Sequence, residues 1–432
     1  MERLITEELL KWKSSKRRKP LILRGVRQCG KTYSLLRFGK KYYFNVAYFN
    51  FEKNPDLSSF FENDLDPHRI MDELRLKYDV KITKDTLVIF DEIQFCNKAL
   101  TSMKYFCEDA PEYHVICAGS LLGVMLSKPL SFPVGKVDFL TMYPMTFPEF
   151  MMAMGETQLY EYLKTVPKDT PITEAFLTAL MKLYREYCFV GGMPEAVKEW
   201  VSARDKDAVR KVHSNIVMAY QSDFAKHAPL STIHKLNQIW SSIPEQLSKE
   251  NRKFLFGHAV KGARAKDLED TLQWLIDAGL AIKVNMISRP SIPLSAYCDP
   301  SFFKLYYPDI GLLGAMSRLP PDSILYDDER YREFKGGMTE NYVLTELTAS
   351  TEGVPFYWRS GNKAEVDFVH IIKDIIIPIE VKSGSPGRLQ SMERYIAEYD
   401  PEKAFVISER NVHTGKLTSV PLPLVWNLEH YL

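Results

Sequence analysis

The sequence predicts an α/β protein of several domains, with a three-layer core in its first third and a separate α/β domain in its last quarter. Three observations predict this. Residues Gly25 to Thr32 read GVRQCGKT, a glycine-rich loop between the apolar run Leu21-Ile22-Leu23 and a stretch with helical spacing. The apolar run Leu87 to Phe90 ends in the paired acids Asp91-Glu92. Far downstream, AEVDFVHIIKDIIIPIEVKSG reads as a β-hairpin that carries Asp367 and Glu380.

Taken in order, short apolar runs alternate with polar helical stretches over the first third, as a layered α/β core requires. Candidate strands are Leu21 to Leu23, Val46 to Phe51, Thr86 to Phe90, Val115 to Ala118 and Val137 to Leu140. From about Phe147 to Phe224 the pattern is helical, with breaks at Pro167 to Pro171 and at Gly191-Gly192-Met193-Pro194, and reads as a helical lid. Next, KDLEDTLQWLIDAGLAIKV puts Leu268, Leu272, Leu275 and Ile276 on one helical face, stops at Gly279 and passes into a strand. Helix followed by strand there suggests a winged-helix-like segment; the other reading is a spacer that touches no nucleic acid. After Pro320-Pro321 come a helix around Glu340 and strands near 355–360, 364–371 and 375–382. The expected domains are 1–150, 151–230, 231–320 and 321–432.

Bulk properties narrow the classes. A chain of 432 residues exceeds one ordinary core. Its 56 basic and 55 acidic residues leave a net charge of +1, so any polyanionic partner must be met by a local patch. Six scattered cysteines without a CxxC pair argue against a zinc site or a disulfide scaffold and fit a reducing cytoplasm. The amino-terminal MERLITEELLKWK lacks the apolar core of a signal peptide, and no run of 18 apolar residues occurs, so neither export by that route nor a membrane partner is expected.

The loop Gly25 to Thr32 matches GxxxxGK[ST] in its required strand-to-helix context. Glycines at 25 and 30 let the backbone curl so that N–H groups point at phosphate oxygens, while the following helix presents its positive end. Gly25, Val26, Arg27, Gln28, Cys29, Gly30, Lys31, Thr32 and Tyr33 are the expected ATP contacts. Lys31 would reach the β- and γ-phosphates, and Thr32 with Asp91 would hold Mg²⁺. Glu92 would polarise the attacking water. The next strand ends at Gly119-Ser120, where Ser120 could sense the γ-phosphate or cap the helix expected over Leu121 to Met125.

The series GVRQCGKT, VIFDEIQ, AGSLLG, FPVGKVDFLTMYPMTFPEF and GGMPEAV resembles the bacterial and archaeal ATPases of the AAA superfamily that carry a C-terminal domain of unknown function. The resemblance runs nearly end to end. It implies an AAA-type core in which the P-loop strand lies beside the sensor strand, and that strand beside the one ending in Asp91-Glu92, with a helical lid. It does not settle an arginine finger, for which Lys136 and Arg185 are candidates.

The C-terminal segment resembles the core motif of the PD-(D/E)xK nucleases, a restriction-endonuclease-like fold, with Asp367 as first acid and Glu380-Val381-Lys382 as ExK. Register tests this independently. A hairpin centred on Lys373-Asp374 pairs residues whose numbers sum to 747, which sets Asp367 across from Glu380, and Val366 and Phe368 across from Val381 and Ile379 on the other face. Opposed carboxylates call for a neutralising cation such as Mg²⁺, and Lys382 shares their face. Glu340, in GGMTENYV, resembles the helical glutamate that some such nucleases add. The alternative is an ion-pair ladder in which Glu365 faces Lys382.

Residues Lys11 to Lys19, KWKSSKRRK, could touch a phosphate backbone or form a solvated approach to the first strand. Two functions follow: an ATP-driven switch coupled to a Mg²⁺-dependent, DNA-processing nuclease domain, or an ATP-dependent interaction module whose C-terminal domain binds a protein partner, or a second copy of the chain, and cuts nothing. A third is ATP binding with little hydrolysis.

Overall fold

The computed structural model describes residues 1–120, 123–124, 135–249, 252–361, 364–384 and 387–432. The helix expected over Leu121 to Met125 falls mostly outside them. The chain divides into two compact units, one made of residues 2–144 and 277–280, the other of Met1, 145–276 and 281–432.

The first unit is built on a parallel sheet of β1 (Leu21–Arg24), β2 (Asn45–Asn50), β3 (Thr86–Asp91), β4 (His114–Ala118) and β5 (Asp138–Thr141), in the order β2-β3-β4-β1-β5. The P-loop strand therefore lies beside β4, and β4 beside the strand ending in Asp91, as the resemblance implied. Helices Ile5–Ser14, Lys31–Tyr42, Pro67–Tyr78 and Asn97–Glu108 belong to the same unit. All six residues of β3 are buried. A strand covered on both faces has no solvent side to alternate with, which is why Leu87 to Phe90 reads as an unbroken apolar run. Val88 and Phe90 join Phe49, Phe51, Phe61, Leu74 and Phe106 in one core cluster. The detached piece Asp277–Leu280 packs in this unit closely enough that a Cβ at Gly123 would lie 1.9 Å from the Asp277 carbonyl oxygen.

In the second unit, the 151–230 segment is helical, as expected: Phe147–Ala153, Thr157–Thr165, Glu174–Val190, Pro194–Ala203 and Lys206–His227. The first begins where the Glu149 carboxylate accepts the Thr146 N–H at 2.9 Å, a capping contact of the kind that contributes about 1 kcal/mol. Gly192, in the GGMPEAV motif, donates its N–H to the buried Asp309 carboxylate. Helix Glu269–Asp277 then leads into β6 (Ile282–Ile287), with Leu268, Leu272 and Leu275 buried.

The second sheet runs across the boundary drawn at 320/321. It contains β6, β7 (Cys298–Tyr306), β8 (Phe356–Ser360), β9 (Ala364–Ile372), β10 (Ile375–Val381), β11 (Ala404–Ser408) and β12 (Leu417–Pro421), in the order β12-β11-β10-β9-β8-β6-β7. The β6–β7 hairpin, placed by its sequence with a winged-helix-like segment, joins that sheet through a parallel pairing of Met286 and Ile287 with Tyr357 and Trp358. Helices Arg332–Ser350 and Gln390–Tyr399 flank the later strands in sequence. The hairpin register is the expected one, since Ile375↔Ile372 through Ile379↔Phe368 all sum to 747. On its other side β9 is irregular: Phe356 opposes Val369 but Trp358 opposes Val366, so β9 carries one extra residue at Asp367-Phe368. Such a bulge re-aims side chains locally.

Candidate functional site

The GVRQCGKT loop follows β1 and opens helix Lys31–Tyr42. Three positive-φ positions shape it, Gly25 at φ 154°, Gln28 at φ 64° and Gly30 at φ 95°. Gly25 is irreplaceable for a further reason, because a Cβ there would stand 2.1 Å from the Met142 carbonyl oxygen. Lys31 donates from Nζ to the Gly25 and Val26 carbonyls at 2.7 and 3.0 Å, so the loop folds around its own lysine. Val26 and Cys29 are buried, whereas Arg27 is half-buried and Gln28 and Tyr33 are exposed.

Arg3, absent from the expected set, also shapes the loop. Its guanidinium, 9% exposed, donates to the Cys29 carbonyl at 2.7 Å and to the Tyr143 carbonyl at 2.7 Å, tying the loop to the segment after β5. A cation facing two backbone carbonyls makes charge-assisted bonds and fixes the loop's course.

At the end of β3, Asp91 Oδ2 accepts from Thr32 Oγ1 at 2.8 Å and from the Tyr48 hydroxyl at 2.7 Å. Burial and the Asp91 bond push the Tyr48 phenol up to about 12, so it stays a donor. Glu92 adopts φ 51°, a left-handed conformation uncommon for a side-chain-bearing residue. Its Oε2 accepts from Gln94 Nε2 at 2.5 Å and faces Ser120 Oγ at 3.5 Å. Thus Lys31, Thr32, Asp91, Glu92 and Ser120 all lie in the first unit, with direct Thr32–Asp91 and Ser120–Glu92 contacts. Among the described residues no lysine or arginine pairs with Asp91 or Glu92. The donor set fits Mg²⁺: an alcohol and a carboxylate side by side, with negative charge uncompensated. Lys136 is engaged by Glu108 at 2.8 Å, and Arg185 is half-buried on helix Glu174–Val190. In the basic stretch, Trp12 is buried and donates to the Lys19 carbonyl, while Lys16 and Arg17 are exposed.

The C-terminal acids also converge, in the second unit. Glu340 on helix Arg332–Ser350 shares a hydrogen bond with Asp367 on β9, and Asp367 Oδ2 accepts from the Val381 N–H at 2.8 Å. Glu380 on β10 pairs with Lys382 at 2.7 Å. Two cations absent from the expected set complete the cluster. Arg252 pairs with Glu340, and the fully buried Lys304 on β7 lies 2.7 Å from Glu365 Oε1 and 3.7 Å from Glu340 Oε2. The ladder expected between Glu365 and Lys382 is replaced by these pairs. Lys304 also sits 5.0 Å from the Tyr357 ring centroid. Burial alone would favour a neutral amine, but Tyr306, Glu340, Glu365 and Asp367 outweigh it and hold Lys304 well above its usual range. Burial, reinforced by Glu340 and Glu380, raises Asp367 far above the carboxylate range. Among the described residues no group of three or more His, Cys, Asp or Glu is arranged to hold a metal ion.

A lysine inside the run FFKLYY was the available signal for Lys304, since a charge within an apolar strand must find a partner. No local signal marks Arg252.

Residues 17–151 match the profile of a family described as an AAA domain. Residues 181–323 and 335–425 match two domains of unknown function, DUF8612 and DUF4143. No curated protein matches the chain. Similar solved structures include a Walker-type ATPase of Pyrococcus abyssi, 14% identical, aligned over 73% of this chain and 95% of that one with a TM-score of 0.45. The Orc1 protein of Aeropyrum pernix in complex with DNA is 12% identical over 74% and 92%, with a TM-score of 0.28. AMPPCP-bound DnaA from Aquifex aeolicus is 14% identical over 63% and 86%, also at 0.28. These likenesses are loose. The profile match, with the loop geometry and sheet order, makes the first unit an AAA-type, ATP-binding P-loop domain. Among the described residues no helix is long and apolar enough to cross a membrane.

Proposed function

We propose that this chain is a Mg²⁺-dependent ATPase working as a nucleotide-driven switch, and that its C-terminal domain engages a partner without cutting it. The observation that carries the first part is the set Lys31, Thr32, Asp91, Glu92 and Ser120, assembled with uncharged partners around both acids. Backbone N–H groups of the loop cradle the phosphates, and Lys31 exchanges the Gly25 and Val26 carbonyls for β- and γ-phosphate oxygens. Thr32 and Asp91 hold Mg²⁺, which supplies neutralising charge to the phosphates. Glu92 takes the proton of the attacking water, and Ser120 reports the γ-phosphate. The segment Asp277–Leu280 offers a route for the signal: it packs within the nucleotide-binding unit, while the chain on either side of it belongs to the other unit.

For the C-terminal domain the supporting observation is charge. Glu340, Glu365 and Glu380 each have a cationic partner from the chain itself. The cleaving alternative draws on the convergence of Glu340, Asp367, Glu380 and Lys382, with DNA as substrate. Two measurements separate the claims. Phosphate release from ATP with Mg²⁺, abolished in Lys31→Ala, tests hydrolysis; a wild type that binds ATP and releases none sinks that part. Incubation of plasmid, linear and branched DNA with Mg²⁺ or Mn²⁺, with and without ATP, tests cleavage; cutting that disappears in Glu380→Ala would return the domain to the nucleases.

A further inference from the structure

We infer that the C-terminal carboxylate cluster is neutralised by the chain's own cations, and that Arg252 is the residue that keeps a divalent metal out of it. The donor set does not fit a resident Mg²⁺ or Mn²⁺. Four acids, Glu340, Glu365, Asp367 and Glu380, face three bases, Arg252, Lys304 and Lys382. Asp367, raised far above the carboxylate range, holds its proton, so three carboxylates face the three bases, the cluster is neutral, and a divalent cation would turn it positive. Without Arg252 one carboxylate charge is left uncompensated, and loss of the Asp367 proton to an incoming metal would supply a second, which a divalent ion would balance.

The guanidinium's place is built at a structural cost on both sides. Arg252 sits at φ 46°, in the left-handed region that side-chain-bearing residues avoid. Opposite it, helix Arg332–Ser350 carries glycine at 336, within a helix where glycine is disfavoured. A Cβ at Gly336 would stand 2.5 Å from Arg252 Nη2, so the missing side chain makes the room. Within the cluster, Glu380 is 6% exposed and its Oε2 has no hydrogen-bond partner among the described residues. That oxygen is a vacant ligand for a metal once Glu340 is released. Lys304 is the second resident cation, fully buried, and it lies between Glu365 and Glu340.

The inference rests on the non-cleaving reading of this domain, and the two fail separately. The test is Mn²⁺ uptake by the nucleotide-free full chain, counted by electron paramagnetic resonance of free Mn²⁺, for wild type, Arg252→Ala, Gly336→Ala and each combined with Glu380→Gln. Circular dichroism melts report that each variant is folded. Gly336→Ala pushes the guanidinium aside without removing it, and so keeps the test open where Arg252→Ala does not fold. Expected are no Glu380-dependent Mn²⁺ in wild type and one Mn²⁺ per chain gained in the variants, lost again when Glu380→Gln is added. Glu380-dependent Mn²⁺ in wild type overturns the inference even where no DNA is cut, and so does the absence of any gain in folded variants. DNA cleavage by wild type overturns the non-cleaving reading instead.

Discussion

The acids of the two sites are handled in opposite ways. Asp91 and Glu92 meet hydroxyls and an amide, from Thr32, Tyr48, Ser120 and Gln94, so their charge is oriented but not cancelled. Glu340, Glu365 and Glu380 meet Arg252, Lys304 and Lys382, so theirs is cancelled in place. Neutral donors hold a carboxylate still while leaving it free to attract a cation or a proton. Cationic partners remove that capacity, because a buried ion pair is already satisfied and is expensive to open. A constellation of acids at nuclease-like spacing therefore does not by itself say what the acids do; their partners say it.

The largest effect expected from this contrast is on rate. Glu92→Gln keeps the shape and the Gln94 neighbour but cannot take a proton, so ATP turnover should fall by about 10²- to 10⁴-fold while nucleotide affinity stays within about threefold. Phosphate release and titration with a fluorescent ATP analogue measure the two; unchanged turnover would remove Glu92 from the chemistry. Next comes stability at the cancelled pair. Lys304→Met leaves the buried Glu340 and the half-buried Glu365 under-compensated, and should cost roughly 3–5 kcal/mol in urea unfolding, partly recovered by adding Glu365→Gln. A loss below about 1 kcal/mol would mean that the lysine charge is dispensable. Smaller again is Arg3→Ala, which leaves two carbonyls without their donor and should cost about 1–3 kcal/mol and raise the KM for ATP, with Arg3→Lys intermediate. An unaltered KM would make Arg3 a structural tether only.

Most of the local structure was legible because it is written locally. Unbroken apolar runs gave the strands of the buried parallel sheet within a residue or two, and a turn centred on Lys373-Asp374 gave the hairpin register. The joining of β6 to β8 was not legible, because Met286 and Tyr357 lie far apart in sequence and neither carries a mark of the other. The same reason hid the cations. Arg252 and Glu340 are 88 residues apart, and Arg3 and Tyr143 are 140 apart. Sequence spacing found Asp91, Glu92, Asp367 and Glu380, because acids on strands follow the strand pattern, while Glu340 came only with the resemblance. It did not find what each acid is paired with, which depends on tertiary placement.

Glu346 shows a third way of burying an acid and sharpens the comparison. It is 1% exposed and accepts the Phe147 N–H at 2.9 Å, beside the Tyr187 hydroxyl, whose proton goes to the Met145 carbonyl, and Glu149. Burial, against that donor, pushes its carboxyl from 4.5 up to about 8. With no cationic partner among the described residues, it keeps its proton. A carboxyl raised in the folded state contributes stability that is full below the unfolded value, near 4.5, and is lost as pH rises through the folded value, near 8. Between those limits the loss is about 1.4 kcal/mol per pH unit for one such group. Glu346→Gln keeps an uncharged side chain of the same size, so its stability relative to wild type should improve steadily from pH 5 to pH 8 in urea melts. A difference that stays flat over that range would mean that Glu346 is ionised in the fold, and that its neutral donor suffices to hold a charge as such donors do for Asp91.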